Sequence, residues 1–175
     1  MGQAYPHKVN VQYTIPELRS KYMMNLHNNG DRSECIVTVA GRIVSKRSAG
    51  CNLHFITIQG DMELVQIISA MKDFDDQNNF TNVHNQIKRG DIIGVTGYPS
   101  LSKSGEFSVC ATHLKLLSTC FHMLPDDYFG LSDVEQRYRQ RYLDFIVNRK
   151  NIDTFLQRSR IIKYIRSFFD NMNFV

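Results

Sequence analysis

A mainly β chain with helices, built around a five-stranded barrel, is what this sequence predicts, and three observations predict it. Between Cys35 and Leu117, five segments alternate apolar and polar residues with the period of two that a half-buried strand requires. One stretch of helical spacing interrupts them after the third segment. The turn-forming runs "SAGCN", "GDM", "KRGD" and "SLSKSGE" punctuate the series.

Thr14-Ile15-Pro16-Glu17 is a capping box with proline early in the first turn, and it predicts a short helix running to about Asn25. "NNGD" then breaks the chain. The first strand covers Cys35 to Arg47, with Val37, Val39 and Ile43 on one face and Thr38, Arg42 and Lys46 on the other. The second runs from Leu53 to Gln59, where His54, Ile56 and Ile58 share the inward face and Phe55 lies opposite, beside Thr57. After "GDM", the third strand runs from Glu63 to Ser69, with Val65 and Ile67 facing one way and Gln66 the other. From about Asp73 to Lys88, Phe80, Val83, His84 and Ile87 follow helical spacing, with Gly90 as the stop. The fourth strand covers Asp91 to Tyr98, and the fifth Glu106 to about Leu117, with Phe107, Val109 and Ala111 on its apolar face. Three strands, a helix and two strands is the order of an OB-fold, a Greek-key barrel that binds oligonucleotides across its second and third strands. An SH3-like barrel would not normally place a helix there.

Beyond "LLSTCFHMLPDDYFGL" the pattern turns helical. Ser132-Asp133-Val134-Glu135 reads as a second capping box, opening a helix through "RYRQRYLDFIV". Another helix follows from about Asn151 to Met172, with Ile152, Phe155, Leu156, Ile162, Ile165 and Phe169 as a broad apolar stripe. The stripe has little left to pack on, which reads as the start of a truncated second domain. The expected organisation is an N-terminal helical segment over 1–30, the barrel over 31–120, a linker over 121–150 and the beginning of another domain over 151–175.

Composition sets limits on function. With 42 % hydrophobic residues the 175-residue chain is globular, not disordered. A net charge of +4 and a pI near 8.9 fit a polyanionic partner without requiring one. Cys35, Cys51, Cys110 and Cys120 form no C-x-x-C pair, so free thiols are expected and no metal site. No apolar run approaches the ~18 residues of a membrane span. "MGQAYPHK" lacks the core of a signal peptide, and Pro6 spoils a myristoylation pattern. A cytoplasmic protein with no membrane partner is expected.

Arg42, Phe55, Gln66 and Glu106 all fall out of phase with the core alternation of their strands. On the outer face of an OB barrel, an exposed Phe can stack an unpaired base, worth roughly 1–3 kcal/mol. Arg or Gln can donate to the carbonyl oxygens of uracil, and a carboxylate can accept its N3–H. Lys46 and Arg47 continue the first strand and could hold phosphates. Each has a plainer reading: an outward Phe is often covered by a loop or neighbouring domain, Gln66 and the Lys46–Arg47 pair are often solvated, and Glu106 flanks a turn.

At "AGRIVSKRSAG", "LHFITIQGD", "LVQ", "RGDIIGVTGYPSLSKSGEFSV" and "FGLSDVEQRYRQRYLDFIVN" the sequence resembles lysyl-tRNA synthetase, a class II aminoacyl-tRNA synthetase. The resemblance covers about Tyr5 to Val175, and "YPHK" points to the eukaryotic type. It implies that Arg42, Phe55, Gln66 and Glu106 are the anticodon-reading residues, facing the uridine-rich anticodon loop of lysine tRNA. It also implies that the helix from Asn151 begins the dimer-forming motif of the class II catalytic α/β domain. The implied full-length enzyme is a homodimeric lysine–tRNA ligase using ATP and Mg²⁺. The 175 residues themselves contain no catalytic residues and no cofactor site by this reading, so they are expected to be inactive alone. A general single-strand-binding OB module and a non-catalytic interaction paralogue are the other function classes left open.

Overall fold

The computed structural model describes residue 6, residues 9–125 and residues 130–174. The opening "MGQAYPHK", apart from Pro6, and the "DDYF" that precedes Gly130 lie outside the described residues. The chain divides into two compact units, Met1–Met123 and Leu124–Val175.

In the first unit, five strands close into a barrel of order β1-β2-β3-β5-β4: β1 Val37–Ser48, β2 Leu53–Gly60, β3 Glu63–Ala70, β4 Ile92–Leu101 and β5 Phe107–Ser118. Neighbours are antiparallel except β3 and β5, which pair in parallel through Gln66↔Ser108, Ile67↔Val109 and Ile68↔Cys110. That is the OB-fold expected from the sequence.

Closure depends on β1, which is 12 residues long and serves two neighbours. Val37 to Arg42 pair with β4, while Arg42 to Ser48 pair with β2. At this corner a Cβ on Gly41 would stand 2.8 Å from the Gln59 carbonyl oxygen, so glycine lets the two backbones approach. Gly97, at the β4–β5 irregularity, is tighter: a Cβ there would lie 2.1 Å from the Cys110 carbonyl oxygen. Between Ile43 and Ser45 the β1–β2 register shifts, so every β1 side chain beyond it changes face.

The interior is filled by Val37, Val39, Ile43, Ile56, Ile58, Val65, Ile67, Ile93, Val95 and Val109, each 0–1 % exposed. Burying a side chain of this size fully contributes about 1.5–3 kcal/mol. Helix α1 (Ile15–Tyr22) has the expected box: Glu17 Oε2 accepts from Thr14 N–H at 2.9 Å, and Thr14 Oγ1 accepts from Glu17 N–H at 3.4 Å. Its Ile15, Leu18 and Tyr22 are buried, with Ile15 against Gly60 at the β2–β3 turn.

Helix α2 (Phe80–Gln86) covers the opposite end, where β2 begins. The expected helix from Asp73 to Lys88 is shorter: 3₁₀ turns occupy Met71–Asp73 and Gln77–Asn79, and Ile87 is already extended. Gly90 is therefore not the helix stop. It sits in the turn into β4, donating its N–H to the Ile43 carbonyl at 2.8 Å. His84 of α2 stacks on His54 at 4.2 Å and packs tilted against Phe80 at 4.2 Å, inside the barrel end.

In the second unit, α3 (Val134–Arg139), α4 (Arg141–Val147) and α5 (Arg149–Asn171) follow in series. The capping box expected at Ser132 does not form. Asp133 is the N-cap, accepting from the N–H groups of Glu135 and Gln136 at 2.9 and 3.4 Å. The single helix expected through "RYRQRYLDFIV" is broken at Gln140 (φ −116°, ψ 60°). The break lets both flanking arginines reach one buried carboxylate. Asp144, 0 % exposed, accepts from Arg137 Nε at 3.0 Å, a terminal nitrogen of Arg141 at 2.8 Å, Asn148 Nδ2 at 2.8 Å and Asn151 Nδ2 at 2.9 Å. Burial would raise its pKa, but these four donors outweigh burial and hold it below the usual carboxylate range. On α5, Phe155, Leu156, Ile162, Ile165 and Phe169 remain 38–47 % exposed.

Two outcomes follow from these buried polar groups. Burial, then the charges of His54 and Lys46, push His84 down to about 4 against the opposing pull of the Phe80 carbonyl. The unfolded chain binds this proton near pH 6.5, so stability is lost as pH falls from about 6.5 to about 4, by about 2–3 kcal/mol. Denaturant titrations at pH 7 and pH 4.5 measure it, and His84→Leu removes the part owed to His84. Asp144→Ala leaves Arg137 and Arg141 without their carboxylate and destabilises the α3–α4 segment by about 3–5 kcal/mol, read as faster amide exchange over residues 134–147.

Candidate nucleic-acid interface

The outer face of β1, β2 and β3 forms one wall of an open cleft of about 1340 Å³. Phe55 stands in it because strand alternation sends its neighbours His54 and Ile56 inward. Cross-strand pairing places Arg47 beside Phe55 on one side and Ile68 on the other. Gln66 lies one outward position along β3, opposite Thr57. Phe55 is half-buried, so the ring rests on the sheet with part of its surface open.

The polar end of the cleft comes from the parallel β3–β5 pair. Gln66 donates from Nε2 to Glu106 Oε2 at 2.8 Å, and Gln66 Oε1 accepts from Ser108 Oγ at 3.1 Å. Gln66 is only 8 % exposed, whereas Glu106 is exposed. The carboxylate thus reaches the cleft already tethered on one oxygen, with the other unbonded among the described residues. Ser102 Oγ accepts from the Glu106 backbone N–H at 2.9 Å and holds the turn that presents it.

Of the six residues picked out from the sequence, Arg47, Phe55, Gln66 and Glu106 line this cleft; Arg42 and Lys46 do not. Arg42 is on the outer face, but it pairs with Gln59, four positions along β2 from Phe55 and so about 13 Å away. A terminal nitrogen of its guanidinium donates to the Gly90 carbonyl at 2.8 Å. Lys46 is turned inward by the β1 register shift, opposite Ile56. Its ammonium donates to the carbonyls of His84 and Ile87 at the end of α2, where burial pulls its pKa below the usual lysine range.

Other lining residues were not anticipated. Arg32 lies 3.9 Å over the Tyr98 ring and is 3.3 Å from Asp73. Lys72 and Lys103 are exposed and, with Arg47, carry no ion pair among the described residues. Lys103 sits in "SLSKSGE", three residues before Glu106, so its end of the barrel could have been read from the sequence. Lys72 could not, because it depends on a 3₁₀ turn outside the strand pattern. With Asp73 paired and Glu106 tethered, unpaired cations dominate the rim. A flat ring, a polar edge and a cationic rim together suit an unpaired base with its phosphates.

The geometry separates the two neighbouring cations of β1. Arg47→Ala is expected to weaken single-stranded RNA binding and reduce the salt slope by about 0.7, without changing thermal stability. Lys46→Met leaves the slope unchanged and destabilises the barrel by about 1–3 kcal/mol. Affinity titrations across salt, beside thermal melts, distinguish the two.

The tRNA anticodon family model, described as an OB-fold nucleic acid binding domain, matches residues 37–117. Similar curated proteins include lysine–tRNA ligase cla4 of Cladosporium cladosporioides, 36 % identical over 97 % of this chain and 29 % of its own length. The lysine–tRNA ligase of Listeria monocytogenes is 40 % identical over 91 % of this chain and 31 % of its own. A probable cytoplasmic lysine–tRNA ligase of Vairimorpha ceranae is 34 % identical over 99 % of this chain and 32 % of its own. The chain thus spans about a third of the length of the relatives it matches. The barrel matches the tRNA anticodon family model, and the chain is similar along nearly its whole length to about a third of each of these lysine–tRNA ligases.

Proposed function

We propose that this chain is the anticodon-binding portion of a lysine–tRNA ligase, and that its cleft reads a uridine of the lysine anticodon loop. The observation that carries the reading is the juxtaposition of the half-buried Phe55 ring with the Gln66–Glu106 pair. A base stacked on Phe55 turns its pairing edge toward that pair. Glu106 offers an acceptor for uracil N3–H, and the remaining Gln66 Nε2–H is a donor for a uracil carbonyl. Cytosine presents a lone pair at N3 and an amino group beside it, which opposes both groups. Arg47, Lys72 and Lys103 would hold the phosphates on either side. Arg42 and Lys46 would serve the barrel, one tying β1 to the β4 turn and the other tying it to α2.

In the full-length protein this portion would position lysine tRNA for ligation of lysine, with ATP and Mg²⁺, in a cytoplasmic homodimer. Among the described residues no group of three His, Cys, Asp or Glu side chains is placed to hold a metal ion. No helix among the described residues is long and apolar enough to cross a membrane.

The test is titration of lysine anticodon stem-loop RNA at fixed salt, beside a loop whose central uridine is cytidine, with and without Phe55→Ala. Uridine-selective binding that Phe55→Ala weakens by about 1–3 kcal/mol is expected. Equal affinity for both loops would reduce the cleft to a general single-strand platform. A stable dimer with no RNA binding would make the chain an interaction module.

A further inference from the structure

Gln66 can donate to Glu106 only while its amide keeps one of two orientations. A carboxylate accepts and does not donate, so Nε2 must face Glu106 and Oε1 must face away. The atom that meets Oε1 is Ser108 Oγ, at 3.1 Å. Ser108 is 0 % exposed and does not line the cleft; it lies beside Gln66 through the parallel register Gln66↔Ser108. Its single proton has two acceptors in reach, Gln66 Oε1 and the Glu106 carbonyl at 3.0 Å. One hydroxyl therefore faces both members of the pair that presents the polar edge.

We infer that Ser108 is a positioning residue for base selection: it orients the Gln66 amide, and through it the Glu106 carboxylate, without touching RNA. The inference rests on the reading of the cleft as a uridine site. The physical reason is the burial of the amide. Gln66 is 8 % exposed, and no other hydrogen-bond partner of Oε1 is present among the described residues. Without the hydroxyl, Oε1 becomes an unpaired acceptor in a covered site, and the amide relieves this only by swinging toward water. Doing so gives up the bond to Glu106 Oε2 and frees the carboxylate to rotate. The donor–acceptor order facing the base is then lost while Phe55, on a different strand, keeps its place.

Ser108→Ala tests this, since it removes one oxygen and leaves the strand and its core neighbours Phe107 and Val109 intact. Two measurements are made on the chain. In RNA-free protein, the Gln66 side-chain amide resonances are expected to move from distinct positions toward those of a solvated glutamine. In binding, the preference for the uridine loop over the cytidine loop falls by about three- to ten-fold, while affinity for a loop with an abasic central position is unchanged. Unmoved Gln66 resonances, or an equal weakening toward all three loops, overturn the inference. If the unsubstituted chain shows no uridine preference, the uridine reading fails and base selection by Ser108 falls with it. The resonances then still report separately whether Ser108 orients Gln66.

Discussion

The register shift in β1 between Ile43 and Ser45 is the constraint on which the rest of the first unit depends. A strand that must pair with β4 along one half and β2 along the other has to bend, and an inserted residue bends it. The shift also changes which side chains face the core. Without it Lys46 would point outward and Arg47 inward, toward the barrel end filled by His54, Phe80 and His84. With it, Arg47 joins Phe55 on the outer face and Lys46 turns toward α2. The same local event closes the barrel, supplies a cation to the cleft and ties a helix across the barrel end.

The inward lysine accounts for the polar cluster beneath α2. Its ammonium satisfies carbonyls at the end of a seven-residue helix too short to be stable alone. Burial lowers the pKa of the adjoining His54 and His84, and the lysine charge adds to it, directly after burial at His54 and after the His54 charge at His84. The arrangement favours α2 in place at neutral pH. Aliphatic packing could hold the barrel, but the carbonyls at the end of α2 need a donor, which Lys46 supplies from β1.

The cleft and the helical unit share one device, a carboxylate oriented by amides. Glu106 is exposed and held on one oxygen by Gln66, its other oxygen unbonded among the described residues. Asp144 is buried and fully engaged by two arginines and two asparagines, leaving nothing for a ligand. Exposure and spare lone pairs suit the first to the recognition role proposed for it, whereas full engagement makes the second a structural hub. The run "RYRQRYLDFIVN", distinctive within the sequence, contains Arg137, Arg141, Asp144 and Asn148 of that hub.

Strand order, barrel class and the outward position of Phe55 were legible in the sequence, because period-two alternation and turn residues are local properties of the chain. Thr14 and Glu17 announced α1 for the same reason: both partners of a capping box lie within one turn. The ends of α2, the break at Gln140 and the N-cap at Asp133 were not legible, since each is set by what the segment packs on or bonds to. Sequence phase also grouped Arg42 and Lys46 with Phe55. Phase counts residues along one strand; it registers neither a residue inserted between two strands nor distance along a neighbouring one. Tertiary structure therefore decided that Arg47 and not Lys46 enters the cleft, and that Ser108 meets Gln66 across a parallel pair 42 residues apart.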